Sequence, residues 1–85
     1  MTQVTVLTAP DCRLCEHTKQ VLTRVAADHP LTVEEVSMHS DHGQNLATRH
    51  GVMFAPGVLL DDQMFSYGRL SERRLRRHLT RGGHR

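Results

Sequence analysis

The sequence predicts an α/β domain whose elements run β-α-β-α-β-β-α. Three observations carry that reading. Apolar residues alternate between two-residue and three- to four-residue spacing along the chain. Turn-forming residues separate the segments. Two short apolar runs flank a tight polar turn at Asp61-Asp62-Gln63. The 85 residues leave room for one modest core, so residues 1–81 read as a single domain and 82–85 as a flexible C-terminal tail.

The first strand is QVTVLT, residues 3–8, with Val4 and Val6 on one face and Thr5 and Leu7 on the other. Ala9-Pro10-Asp11 breaks it, and Asp11 is a candidate cap for the helix that follows. From Cys12 the spacing becomes helical: Leu14, Cys15, Thr18, Val21, Leu22, Val25 and Ala26 form one stripe. Asp28-His29-Pro30 stops the helix, because proline disfavours a helical residue before it. LTVEEV, residues 31–36, reads as a second strand. Ser40 or Asp41 opens a second helix carrying Leu46, Ala47 and His50, with Gly51 as its C-cap. Gly43 within it weakens the helix by up to about 1 kcal/mol relative to Ala. Gly57–Leu60 and Met64–Tyr67 form the hairpin, and Ser71 caps a last helix whose inner face carries Leu75 and Leu79.

With 38% apolar and 24% charged residues, the chain fits a soluble globular domain rather than a disordered one. No apolar run approaches the roughly 20 residues of a membrane span. The opening MTQVTVLTAP has no basic leader followed by an apolar stretch, so a cytoplasmic location is expected. The formal charge is +2, from ten Arg and one Lys among the bases. Arg69, Arg73, Arg74, Arg76, Arg77, Arg81 and Arg85 crowd the C-terminal end. They read as a solvated basic face, or as a docking surface for an acidic partner. One Tyr and two Phe do not make a base-stacking platform, so no nucleic-acid partner is expected.

Cys12 and Cys15 are the only cysteines. A C-x-x-C at a strand-to-helix junction places its first sulfur beside unpaired backbone N–H groups and the positive end of the helix dipole, which favour a thiolate. Thiolate is the form that attacks disulfides. Cys12 is then the exposed nucleophile, and Cys15, one turn on, the buried resolving thiol. Arg13 favours the Cys12 thiolate and Asp11 opposes it. Two other readings stay open at this point. The pair is half of a metal site, or it is two small core residues. A closed tetrahedral metal site needs two further ligands. The chain offers His17, His29, His39, His42, His50, His78 and His84, of which His39 and His42 have suggestive spacing but fall near the second helix. No metal-binding residues are assigned.

Three stretches resemble the thioredoxin-like superfamily, on its glutaredoxin-like side, where small bacterial proteins of this size occur. They are the strand and break leading to Cys12-Arg13-Leu14-Cys15-Glu16; Gly51-Val52-Met53-Phe54-Ala55-Pro56-Gly57-Val58-Leu59-Leu60; and Asp61-Asp62-Gln63 followed by Tyr67-Gly68-Arg69-Leu70-Ser71. No Trp precedes the motif, neither Gly-Pro nor Pro-Tyr separates the cysteines, and Tyr67-Gly68 stands where glutaredoxins carry Gly-Gly. The resemblance implies a thioredoxin-like, glutaredoxin-type fold with a four-stranded mixed sheet. It implies a cis Pro56 facing the cysteines, Ala55 offering backbone groups to an extended substrate or glutathione, and a docking groove of Arg13, Phe54, Ala55 and Pro56. The function implied is thiol–disulfide oxidoreductase activity through Cys12 and Cys15, in redox homeostasis and electron transport. The substrate is expected to be a protein or low-molecular-weight disulfide. The electron donor is expected to be glutathione, another small thiol or a reductase, with no bound cofactor, no membrane partner and a monomeric protein. The alternative is a binding module that captures a soft metal, a metalloid or a partner protein through the two thiolates without turnover.

Overall fold

The computed structural model describes residues 1–82. Seven elements follow in the expected order: β1 (Thr2–Thr8), α1 (Arg13–Ala26), β2 (Leu31–Ser37), α2 (Asp41–His50), β3 (Gly57–Leu60), β4 (Gln63–Tyr67) and α3 (Glu72–Gly82). The last helix thus runs one residue into the tail expected from residue 82, and the rest of that tail lies outside the described residues. No helix among the described residues is long and apolar enough to cross a membrane.

The strands form one sheet in the order β2-β1-β3-β4. β1 runs parallel to β2, with Thr2 opposite Leu31 and Thr8 opposite Ser37. A parallel pair needs a long crossover, and α1 supplies it. β1 runs antiparallel to β3, with Leu7 opposite Gly57, and β3 antiparallel to β4, with Gly57 opposite Tyr67. The sheet is therefore mixed. It is also covered on both faces, which is why Val4, Thr5, Val6 and Leu7 are all buried in sequence. Val4, Val6, Val58 and Leu60 pack with Val21, Leu22 and Val25 of α1 and with Leu70, Leu75 and Leu79 around α3. Leu7 and Val36 form the opposite layer with Val52, Leu46 and Ala47. The alternation in β1 assigns each residue to its layer.

Two local expectations change. The β3–β4 turn contains two residues, Asp61 and Asp62, both with positive φ (49° and 66°), and Gln63 already pairs with Leu60. That backbone is what a two-residue hairpin loop demands. Gly43 also has a role that helix propensity hides. Ser40 caps α2, its hydroxyl accepting from the Gly43 N–H at 2.9 Å. A Cβ at Gly43 would strike the Ser37 carbonyl oxygen and stand 3.0 Å from the Met38 Cα. Glycine lets α2 press against the end of β2.

A charged network ties α1 to α3 along their exposed sides. Glu72 accepts from Arg24 (2.9 Å) and from Arg76 (3.0 Å), and Arg76 also reaches Asp28 at 2.6 Å. Hydrogen bonds from Arg24, then Arg76, hold the Glu72 carboxyl below its ordinary value of 4.5.

Gly43→Ala is expected to lower stability. The clash is with backbone, so an overpacking cost of about 1–3 kcal/mol outweighs the helix-propensity gain of up to about 1 kcal/mol. A thermal melt reads this directly, and a raised Tm would overturn the close-approach account. Glu72→Gln is expected to lower Tm at neutral pH. A carboxyl with a depressed folded pKa stabilises above its unfolded value and loses that contribution as pH falls through the folded one. The gap between wild type and variant should therefore close below the ordinary glutamate range, and a gap that stays constant down to strongly acid pH would count against the network.

Candidate functional site

The junction at residues 9–12 does not cap itself as Asp11 suggested. Asp11 takes positive φ, 53°. The N-cap of α1 is Cys12, whose backbone is extended (φ −106°, ψ 105°). Its Sγ accepts a hydrogen bond from the Cys15 N–H at 3.0 Å, and its carbonyl accepts from the Glu16 N–H at 3.2 Å. A sulfur thus does what a Ser or Asp oxygen does at most helix starts.

Cys12 and Cys15 are joined in a disulfide with Cα atoms 5.2 Å apart. That separation lies within the normal range for a bridge. The two sulfurs differ in access. Cys12 is half-buried, while Cys15 is only 2% exposed. An open groove of about 550 Å³ lies beside Cys12, lined by Ala9, Pro10, Asp11, Arg13 and Glu16. Arg13 lines that groove beside Cys12, and the carboxylates of Asp11 and Glu16 share it.

The remaining proposed site residues reach this region through the sheet register. Leu7 of β1 faces Gly57 of β3, and Gly57 faces Tyr67 of β4. The segment after β1, which carries Cys12, the segment before β3, which carries Phe54, Ala55 and Pro56, and the segment after β4 all leave the sheet at one end. Met38 joins this end as well, its N–H donating to the Thr8 carbonyl at 2.8 Å. The Ala55–Pro56 peptide bond is cis. Pro56 is fully buried, and its carbonyl accepts from the Gly68 N–H at 2.8 Å. Phe54 packs edge-on to Tyr67, ring centroids 5.1 Å apart. A Cβ on Gly68, whose φ is +81°, would come within 3.1 Å of the Phe54 ring.

Of the apolar rim of this end, the sequence singles out Phe54 alone. Met53 is 76% exposed, Phe54 54%, Tyr67 41% and Leu14 36%. Leu14 has the spacing of the buried stripe of α1, yet it stands exposed in the first turn of that helix. Met53 and Tyr67 look like ordinary members of apolar runs. Their exposure follows from the turn before Pro56 and the end of β4, which spacing alone does not reveal. Among the described residues, no group of three or more His, Cys, Asp or Glu side chains could hold a metal ion.

The family model of the thioredoxin domain matches residues 2–80. The chain belongs to the thioredoxin domain family. Solved structures agree on the fold. A mutant thioredoxin from Halobacterium salinarum is similar at 21% identity and a TM-score of 0.71, over 94% of this chain and 73% of that one. A thioredoxin-like protein from Clostridium perfringens is similar at 12% identity and a TM-score of 0.75, over 95% and 70%. Mitochondrial thioredoxin 3 from Saccharomyces cerevisiae, in its oxidised form, is similar at 18% identity and a TM-score of 0.67, over 94% and 77%. No curated protein matches the chain by sequence. A thioredoxin-like fold with a Cys12–Cys15 disulfide supports a role of the thiol–disulfide oxidoreductase type.

Gly68→Ala is expected to displace Phe54 and to cost about 1–2 kcal/mol, through positive-φ strain and crowding. Tyr67 is the only Tyr and there is no Trp, so intrinsic fluorescence reports on this contact. Unchanged Tyr67 emission in the variant would contradict the packing described.

Proposed function

We propose that the protein reduces disulfides of proteins or small molecules by dithiol exchange, with Cys12 as nucleophile and Cys15 as resolving thiol. The observation that carries this reading is the unequal access of the two sulfurs at the start of α1. In the reduced protein, the Cys12 thiolate attacks one sulfur of the partner disulfide. The partner's other sulfur leaves as a thiolate, and a mixed disulfide forms on Cys12. Cys15 then loses its proton and attacks the Cys12 sulfur. The second partner thiolate leaves, and Cys12–Cys15 is oxidised. Two electrons and two protons from a thiol donor or a reductase reset the pair. In this reading the Cys15 N–H and the N-terminus of α1 stabilise the Cys12 thiolate, and Arg13 supports it. The substrate chain lies along Phe54, Ala55 and Pro56 at the same end of the sheet, with Ala55 offering its backbone groups. The setting is the reducing cytoplasm, where an isolated cysteine pair serves exchange rather than architecture.

Thiol trapping and mass measurement in defined dithiothreitol and glutathione buffers test this. The expected result is reversible loss of two hydrogens, with a midpoint in the roughly −270 to −180 mV range of dithiol oxidoreductases. A glutathione adduct on Cys12 would mark the glutaredoxin type of reaction. Reduction by dithiols alone would mark the thioredoxin type. Cys12→Ser should abolish turnover, and Cys15→Ser should accumulate the mixed disulfide. Full activity in Cys12→Ser would overturn the assignment. Stoichiometric metal on the purified protein, without reductase activity, would favour capture by the thiolates instead.

A further inference from the structure

The arginines of α3 do not all share one environment. Arg76 is engaged by Asp28 and Glu72. Among the described residues, Arg74, Arg77 and Arg81 have no ion-pair partner. These three, with His78, form one stripe along the helix at positions i, i+3, i+4 and i+7. The stripe lines a groove of about 390 Å³ whose other wall is Met64 and Phe65 of β4. The only acidic residue on α3 is Glu72, and it belongs to the network with Arg24 and Arg76. The aspartates of the nearby turn do not line the groove, and Asp61 is turned toward β1, accepting from the Gln3 N–H at 2.9 Å. The groove is therefore a concentrated positive surface on a chain whose net formal charge is only +2.

We propose that this groove docks an acidic, extended segment of a partner protein. Three features select that occupant. β4 is the last strand of the sheet, and an edge strand offers backbone groups to an added strand. Arg74, Arg77 and Arg81 are spaced by roughly 4.5 and 6 Å of helix rise. An extended chain places alternate side chains roughly 6.6 Å apart on one side, so carboxylates two residues apart can meet successive guanidinium groups in fork-like pairs. Phe65 is already engaged, with the Arg74 guanidinium 4.8 Å from its ring centroid and the His78 ring at 5.3 Å. It is not free to stack a base, which separates this surface from a single-strand nucleic-acid platform. Met64 pairs with Leu59 and Phe65 follows it at the irregularity in the β3–β4 ladder, away from the end that carries Cys12. Docking here leaves the thiols accessible.

The test is a titration of the isotopically labelled full chain with a short peptide alternating Glu and Val, followed by amide chemical shifts, at physiological ionic strength. The expected shifts fall on Gln63–Tyr67 and along α3. Arg77→Glu/Arg81→Glu, which leaves the Arg74–Phe65 contact in place, should weaken binding on the order of tenfold or more, the equivalent of one or two charge-assisted hydrogen bonds. A peptide with Gln for Glu should fail to bind the wild type. Far-UV circular dichroism and an unchanged Cys12–Cys15 redox midpoint would show that the variant is intact, and Arg77→Gln/Arg81→Gln serves if the charge reversal does not fold. The proposal is overturned if the acidic peptide shifts no β4 or α3 resonance, if the shifts cluster around Cys12, if an intact variant binds equally well, or if a single-stranded oligonucleotide displaces the peptide at equal or lower concentration.

Discussion

The pairing of β1 on both of its edges is the constraint on which the molecule is built. One edge is committed to β2 in parallel and the other to β3 in antiparallel sense. Each commitment fixes register, because slipping by one residue would turn Val4 and Val6 away from α1 and α3. Register in turn determines what meets at the end of the sheet. With Leu7 opposite Gly57, the chain leaving β1 toward Cys12 and the chain arriving through Pro56 share one end. Gly57 itself allows this closeness, since a Cβ there would stand 2.9 Å from a Val52 methyl and 3.3 Å from one of Leu7. The site is a product of strand pairing before it is a product of any side chain.

At the start of α1 one atom serves two purposes. Helices leave several N–H groups unsatisfied at their N-termini. Here the Cys12 sulfur accepts one of them while also forming the bridge to Cys15. Structure and reactivity are thus coupled through a single hydrogen bond. The charged neighbours Asp11, Arg13 and Glu16 stay on the outer side, where water screens them. The donor at the helix start, by contrast, is in direct contact with the sulfur at 3.0 Å.

Much of this was legible in the sequence, for identifiable reasons. Strand and helix periods differ sharply, so the seven elements can be read in order, and Cys12, Cys15 and Pro56 stand out as candidates because their spacing and flanking breaks are distinctive. What was not legible depends on three-dimensional approach. Gly43 reads locally as a defect in α2 and is instead the residue that lets α2 touch Ser37. Leu14 has helical spacing with the core stripe, yet in the first turn of α1 it is left exposed. Asp11 has the composition of a cap, but the turn after Pro10 gives that position to Cys12. Met53 and Tyr67 are indistinguishable from core residues until the strand ends are placed. In each case the deciding fact is which backbone lies across from the residue, and linear spacing carries no such information.

The near-complete burial of Cys15 has a consequence for order of events. Any reagent too large to enter the protein meets a single sulfur, so every encounter with a macromolecule starts from the same doorway. In the proposed reaction the inner sulfur responds only after the outer one has been engaged. In that reading the domain works like a valve with one external port. The two cysteines then act in sequence, an order imposed by the burial of Cys15 and favoured by the donor that the Cys12 sulfur holds.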